Sequence, residues 1–104
     1  MELLFKDYRG RIIRFSEERI RHIEAHFEMR DFEAYVEETL LKPQIVVRSN
    51  RDEEAALYYR YYFGTKIGDK WICIVVKDDD EEPFGLTAYF TTKIKKGEIV
   101  WKNT

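Results

Sequence analysis

The sequence predicts an α+β domain: short N-terminal strands and two helices packed on a twisted four- to five-stranded antiparallel sheet. Three observations carry this. Apolar residues recur at helical spacing between Ser16 and Pro43. From Gln44 onward, β-branched and alternating runs are separated by turn residues. A chain of 104 residues with 44% hydrophobic content fits one core, so residues 1–104 read as a single domain.

Each element has a local reason. Leu3 to Phe5 and Ile12 to Phe15 read as strands around a turn at Asp7-Tyr8-Arg9-Gly10, where Gly10 supplies the permissive backbone. Ser16 is an expected N-cap, and Glu17 and Glu18 follow in the first turn, where the helix dipole favours acids. The stripe Ile20, Ile23 and Phe27 extends this helix to about Met29. Asp31 caps a second helix with Phe32, Tyr35, Val36 and Leu40 inward, and Pro43 stops it. The strands expected next are Gln44 to Arg48, Ala55 to Phe63, Trp71 to Lys77, Phe84 to Thr92 and Glu98 to Lys102. Gly64 to Lys70 reads as a hairpin loop, and consecutive antiparallel hairpins are the simplest topology.

Composition narrows the function classes. No run approaches the roughly 18 apolar residues of a membrane helix, and the N-terminus lacks the apolar stretch of a secretory signal. Cys73, the one cysteine, has no disulfide partner within the chain and sits in an apolar run, so a buried inert thiol and a cytoplasmic location are expected. A net charge of −2 argues against a strongly basic nucleic-acid binder. The charge is uneven, however. Residues 5–22 carry six basic and three acidic side chains, residues 93–104 carry four Lys against one Glu, and Asp78 to Glu82 form an acidic run that reads as a solvated turn. A local basic surface follows if the two termini meet.

His22 and His26 stand at i and i+4, on one face of the expected helix, with Arg19 and Arg30 near them. Imidazole moves protons near neutral pH. The plain alternative is an exposed amphipathic helix with two incidental histidines. In His22-Ile23-Glu24-Ala25-His26 the glutamate is one position later than in the zinc-protease helix and no third ligand is evident, so no metal site is expected. By alternation, one face of Ala55–Phe63 holds Leu57, Tyr59, Tyr61 and Phe63, and the other Tyr58, Arg60 and Tyr62. In Phe84–Thr92, Leu86, Ala88 and Phe90 share one face, and Thr87, Tyr89 and Thr91 the other. Arg60, Thr87, Tyr89 and Thr91 are expected to converge on one open surface, where Arg grips phosphate, hydroxyls bind its oxygens and Tyr stacks on bases. The alternative is an ordinary solvated sheet face. Lys93, Lys95 and Lys96 form a basic turn, suited to a nucleic-acid backbone or simply to solvent.

The ordered set Gly10-Arg11, His22-Ile23, His26, Glu37-Glu38-Thr39-Leu40, Leu41-Lys42-Pro43, Arg48-Ser49, Tyr58-Tyr59-Arg60, Ile74-Val75-Val76, Thr87-Ala88-Tyr89 and Thr91 resembles the small phage and prokaryotic nuclease-like domains of the barnase–EndoU–colicin–RelE superfamily. The resemblance spans roughly residues 10 to 101. Phe27 stands where that pattern has Pro, and the acidic net charge departs from typical ribonuclease toxins. The resemblance implies metal-independent RNA cleavage without a cofactor, by 2′-hydroxyl attack on the adjacent phosphate, in a toxin or phage-derived effector. It implies His22 or His26 in proton transfer, Arg60 on the phosphate, and Thr87, Tyr89 and Thr91 orienting it. His26 is favoured slightly over His22, being angularly closer to the apolar stripe. Arg19, Arg48, Tyr58 and Lys93 complete the substrate-binding set. RNA is the expected partner, together with an antitoxin or immunity protein.

Two other readings stand beside the endoribonuclease. One is a non-catalytic module that keeps the fold and binds RNA or a protein through its aromatic sheet. The other is a homodimer with Tyr58 and Tyr62 buried between chains.

Overall fold

A computed structural model describes residues 1–79 and 81–103. Asp80, within the acidic run, and Thr104 lie outside the described residues. The order is β1 (Leu3–Lys6), β2 (Ile12–Phe15), α1 (Glu17–Glu24), a 3-10 turn (Phe27–Met29), α2 (Phe32–Leu41), β3 (Ile45–Ser49), β4 (Ala55–Thr65), β5 (Gly68–Lys77), β6 (Phe84–Thr91) and β7 (Gly97–Lys102). The fold is α+β. Its seven-stranded sheet has the order β1-β2-β6-β5-β4-β3-β7.

The five strands β6-β5-β4-β3-β7 are antiparallel neighbours throughout. They are the five strands expected from the sequence, in an order that differs at the last strand. The N-terminal hairpin adds two strands through one parallel bridge, Arg14 beside Phe84, which makes the sheet mixed. Past that bridge the outer edge of β6 has no strand partner among the described residues. Arg19 from α1 donates to the Leu86 carbonyl there at 3.2 Å, so a free edge is partly covered by a helix side chain.

Three local expectations change. The helix begins at Ser16 as expected, its hydroxyl accepting from the Arg19 N–H at 3.3 Å. It stops at Glu24, however, and His26 is extended at φ −87° and ψ 123°. The 3-10 turn swings Met29 into the core and leaves Phe27 54% exposed. An unbranched thioether fills that irregular slot more readily than a rigid ring. Asp31 precedes α2 without a side-chain cap bond. The expected loop from Gly64 to Lys70 is mostly strand. Only Lys66 and Ile67 separate β4 from β5, with Gly64 and Gly68 at positive φ, and Asp69 accepts from the Gly64 N–H at 2.8 Å.

The last strand departs most. β7 pairs with β3, not β6, so residues 92–96 cross the sheet face opposite the helices. On a flat sheet, Thr91 and Gly97 would stand about 19 Å apart across four strand spacings and about 20 Å apart along the strands, or roughly 28 Å diagonally. Six residues span at most about 22 Å. The sheet must therefore twist and coil enough to bring these corners together, and the crossed face is concave.

Two apolar layers result. On the helix side, Ile20, Ile23, Met29, Phe32, Val36 and Leu40 pack on Val46, Tyr58, Ile72 and Ile74. On the other, Val47, Leu57, Tyr59 and Cys73 are covered by Ile94 of the crossing strap. No helix among the described residues is long and apolar enough to cross a membrane.

Candidate nucleic-acid interface

Strand register arranges the strap face in three rows. Thr87, Val75, Leu57, Val47 and Ile99 form one. Tyr89, Cys73, Tyr59, Ile45 and Lys102 form the next, and Thr91, Trp71 and Tyr61 the third. The strap crosses near the middle row: Ile94 packs on the apolar cluster there, and the Lys95 N–H donates to the Tyr59 hydroxyl at 3.1 Å.

Beside the strap lies a groove of about 610 Å³. Leu57 and Val75 form its apolar floor, Thr87 and Tyr89 one wall, and Lys95, Lys96, Arg51, Ser49 and Asn50 the other sides. Asp52 also lines it, with Lys77 2.8 Å from its carboxylate holding the carboxyl below its ordinary value. The groove thus combines three cations, a partly neutralised acid, two hydroxyls and an aromatic ring. Those are the groups that grip a phosphate chain and rest against a base.

The expected site residues divide among several places. Thr87 and Tyr89 meet in the groove. The Tyr89 Oη is buried and has no hydrogen-bond partner among the described residues. Burial, with the Cys73 thiol beside it, raises its pKa above the ordinary value, so the phenol stays protonated. Tyr89 therefore offers its ring, with Lys95 Nζ 5.8 Å from the centroid. Thr91 accepts from the Lys93 N–H at 3.3 Å and donates to its carbonyl at 3.2 Å, stiffening the strap's start. Lys93 is exposed there, outside the groove.

Arg60 does not join Thr87, Tyr89 and Thr91. Tyr59 pairs with Cys73 and Cys73 with Tyr89, so Arg60 falls with Ile72 and Phe90 on the helix side. There it donates to the Lys42 carbonyl at 2.8 Å, satisfying the end of α2, with Glu38 3.6 Å from its Nε. Alternation identified which residues share a face but reversed the faces of β4: Tyr58 and Tyr62 pack toward the helices and Leu57 and Tyr59 lie under the strap.

Tyr58 is 1% exposed within the single chain, which removes it from both a substrate surface and a chain–chain interface. It belongs to a buried polar network that joins the N-terminal turn to the sheet. Asp7, also 1% exposed, accepts from the N–H groups of Arg9 (3.0 Å) and Arg11 (2.8 Å), from Arg11 Nε (3.3 Å) and from the Tyr58 hydroxyl (2.8 Å). Arg11 also donates to the Tyr58 oxygen at 3.1 Å and pairs with Asp78, which Arg48 reaches at 3.3 Å. Burial opposes the Asp78 charge, but the two arginines outweigh it and hold the carboxyl below its ordinary value. For Arg11 burial likewise works against the charge, and its bonds to Asp78 and Tyr58 outweigh it and raise its pKa. The first member of the acidic run is thus an ion-pair centre. The two terminal segments do meet here, Tyr8 against Trp101 with ring centroids 4.8 Å apart, bordering a cavity of about 470 Å³. The Asp7 to Arg11 spacing around the turn was the available signal; its distant partners were not readable.

The histidines part company. His22 is exposed on α1, and its imidazole makes no hydrogen bond or ion pair among the described residues. His26, beyond the helix end, has a 69% exposed side chain with Glu28 3.9 Å away, and lines a hollow of about 190 Å³ with Met29, Ala88, Tyr89 and Phe90. No group of three or more His, Cys, Asp or Glu suited to a metal ion occurs among the described residues. Comparison of the chain with protein-family models, curated proteins and solved structures finds no match.

Proposed function

We propose that this chain is a ribonuclease-like domain that binds RNA along the strap-side groove and cleaves it by 2′-hydroxyl attack. One observation carries the reading: Tyr89 lines both the cationic groove and the hollow beside His26. Three cations on the strap face and an imidazole on the helix side therefore flank the same stretch of β6, which supports a shared substrate passing its edge. In the reaction the 2′-oxygen bonds to phosphorus, the bond from phosphorus to the 5′-oxygen breaks, and a cyclic phosphate and a 5′-hydroxyl result. His26 takes the proton from the attacking 2′-hydroxyl, and the departing 5′-oxygen takes one from solvent water. Lys95 and Lys96 stabilise charge on the phosphorane, and Thr87 hydrogen-bonds a phosphate oxygen. In a toxin, an antitoxin or immunity protein would act by covering this groove.

The test is incubation of purified protein with mixed RNA in EDTA, beside folded His22→Ala, His26→Ala and Lys95→Ala/Lys96→Ala variants. Cleavage should survive EDTA and His22→Ala, and fall about 100-fold or more in His26→Ala. Undiminished cleavage in His26→Ala would remove the assignment. Binding without turnover is the second reading. It is favoured because the Tyr89 hydroxyl is buried, Thr91 is held by the strap and Arg60 faces the helices. It predicts RNA affinity insensitive to His26→Ala and no cleavage by any variant.

A further inference from the structure

The third row of the strap face continues outward into an aromatic ladder that the groove does not use. Tyr61 and Trp71 stand opposite each other on β4 and β5, with centroids 5.1 Å apart at 72°. Phe63 follows Tyr61 at 5.0 Å and 79°. Phe63 is 79% exposed, the most exposed aromatic side chain with a large apolar surface in the fold. Edge-to-face contacts fix these rings, with Tyr61 and Trp71 half-buried and Phe63 open to solvent at the outer end.

We propose that this ladder is a stacking platform for single-stranded RNA, extending the groove across the strap. This rests on the RNA-binding part of the function proposed above and adds its substrate class. Charge complementarity selects the occupant. Lys93 lies at the strap's start beside Thr91, in the row of Trp71, and Lys102 lies on the same face in the row of Tyr59. The nearby carboxylate of Asp69 is tied to the Gly64 N–H. A strand held by Lys95 and Lys96 in the groove passes over Ile94 and lays its next bases on Trp71, Tyr61 and Phe63. Aromatic rings stack on any exposed base, whereas a duplex keeps its base faces occupied.

The experiment measures anisotropy of a labelled, unstructured 12-nucleotide 2′-O-methyl RNA, which cannot be cleaved by its own 2′-oxygen, so binding is read independently of catalysis. The proteins are wild type, Phe63→Ser and Lys95→Ala/Lys96→Ala, each with its denaturation midpoint checked. Phe63→Ser should weaken binding at least about 5-fold. The same sequence as a duplex should bind more weakly than the single strand. Unchanged affinity in Phe63→Ser, with loss in the lysine variant, overturns the ladder and leaves the groove standing. No binding by wild type overturns both. Equal duplex binding overturns the single-strand class. A wild-type dimer that Phe63→Ser converts to monomer, without a change in RNA affinity, assigns the ladder to a second copy of the chain and overturns the proposal.

Discussion

Tyr58→Phe isolates the energetic weight of the polar network. The substitution keeps the buried ring and removes one oxygen, which donates to Asp7 at 2.8 Å and accepts from Arg11 at 3.1 Å. A hydrogen bond to a charged group contributes about 1.5–3 kcal/mol. The two bonds share one hydroxyl and do not add in full. Asp7 also keeps its donors from Arg9 and Arg11, so the loss works out at about 2–3 kcal/mol rather than twice that. In a domain of this size that lowers Tm by roughly 10–20 °C. Tyr59→Phe is the internal comparison. Its hydroxyl accepts one bond from the neutral Lys95 amide at 3.1 Å, worth about 0.5–1.5 kcal/mol. Urea unfolding followed by tryptophan fluorescence should give a much larger midpoint shift for Tyr58→Phe, with the same slope for both. If Tyr58→Phe costs no more than Tyr59→Phe, Asp7 and Arg11 are satisfied without the phenol, and the network is not the fastening described here.

Asp78 predicts an acid-side effect. Its native pKa is below the unfolded value of about 3.9, so its contribution is present above that pH and lost as pH falls through the native value. The midpoint difference between wild type and Asp78→Asn should therefore shrink from pH 7 to about pH 3; a constant difference would refute the pairing. Gly85→Ala places a Cβ into the Phe15 ring, an overpacking expected to cost about 1–3 kcal/mol in the same unfolding assay. Lys95→Ala/Lys96→Ala should reduce the salt dependence of single-strand affinity, lowering the log–log slope by about 1.4 if both contact phosphate. An unchanged slope would place the backbone elsewhere.

What the sequence could and could not reveal follows the range of the forces involved. Ser16 with Glu17 and Glu18 is a local signal, and so is the Ile20–Ile23 stripe; both are fulfilled. The end of α1 is not local, because Met29 rather than Phe27 fits the space left by the sheet. Alternation on β4 gave the correct pairs of faces, yet both faces are apolar, with Tyr58 on one and Tyr59 on the other, so nothing local chose the side that receives the helices. Arg60 changed sides for that reason. The partner of β7 was equally hidden, since pairing with β3 rather than β6 depends on the coil of the whole sheet. The candidate site inherits the same division. Thr87 and Tyr89 were legible as neighbours on one strand, whereas Arg51 enters the groove with them only because the sheet curls beneath the strap.

The strap also determines what can be changed without unfolding the molecule. It is anchored from below by Ile94 in the apolar cluster and by its Lys95 backbone on Tyr59. The Lys95 and Lys96 side chains are exposed and contribute to neither anchor. Replacing them alters the charge of the groove while keeping the backbone bond and the buried Ile94. Replacing Ile94 does the reverse: it uncovers Cys73, Leu57 and Tyr59 and loosens the diagonal that fixes the groove's shape. Ile94→Ala should therefore lower the unfolding midpoint and weaken RNA binding together. Lys95→Ala/Lys96→Ala should weaken binding while costing no more than the exposed Lys95–Tyr89 contact contributes, about 1 kcal/mol or less, because both side chains are otherwise solvated. If the lysine variant unfolds as early as Ile94→Ala, the side chains are part of the fold's fastening, and its loss of binding would say nothing about phosphate recognition.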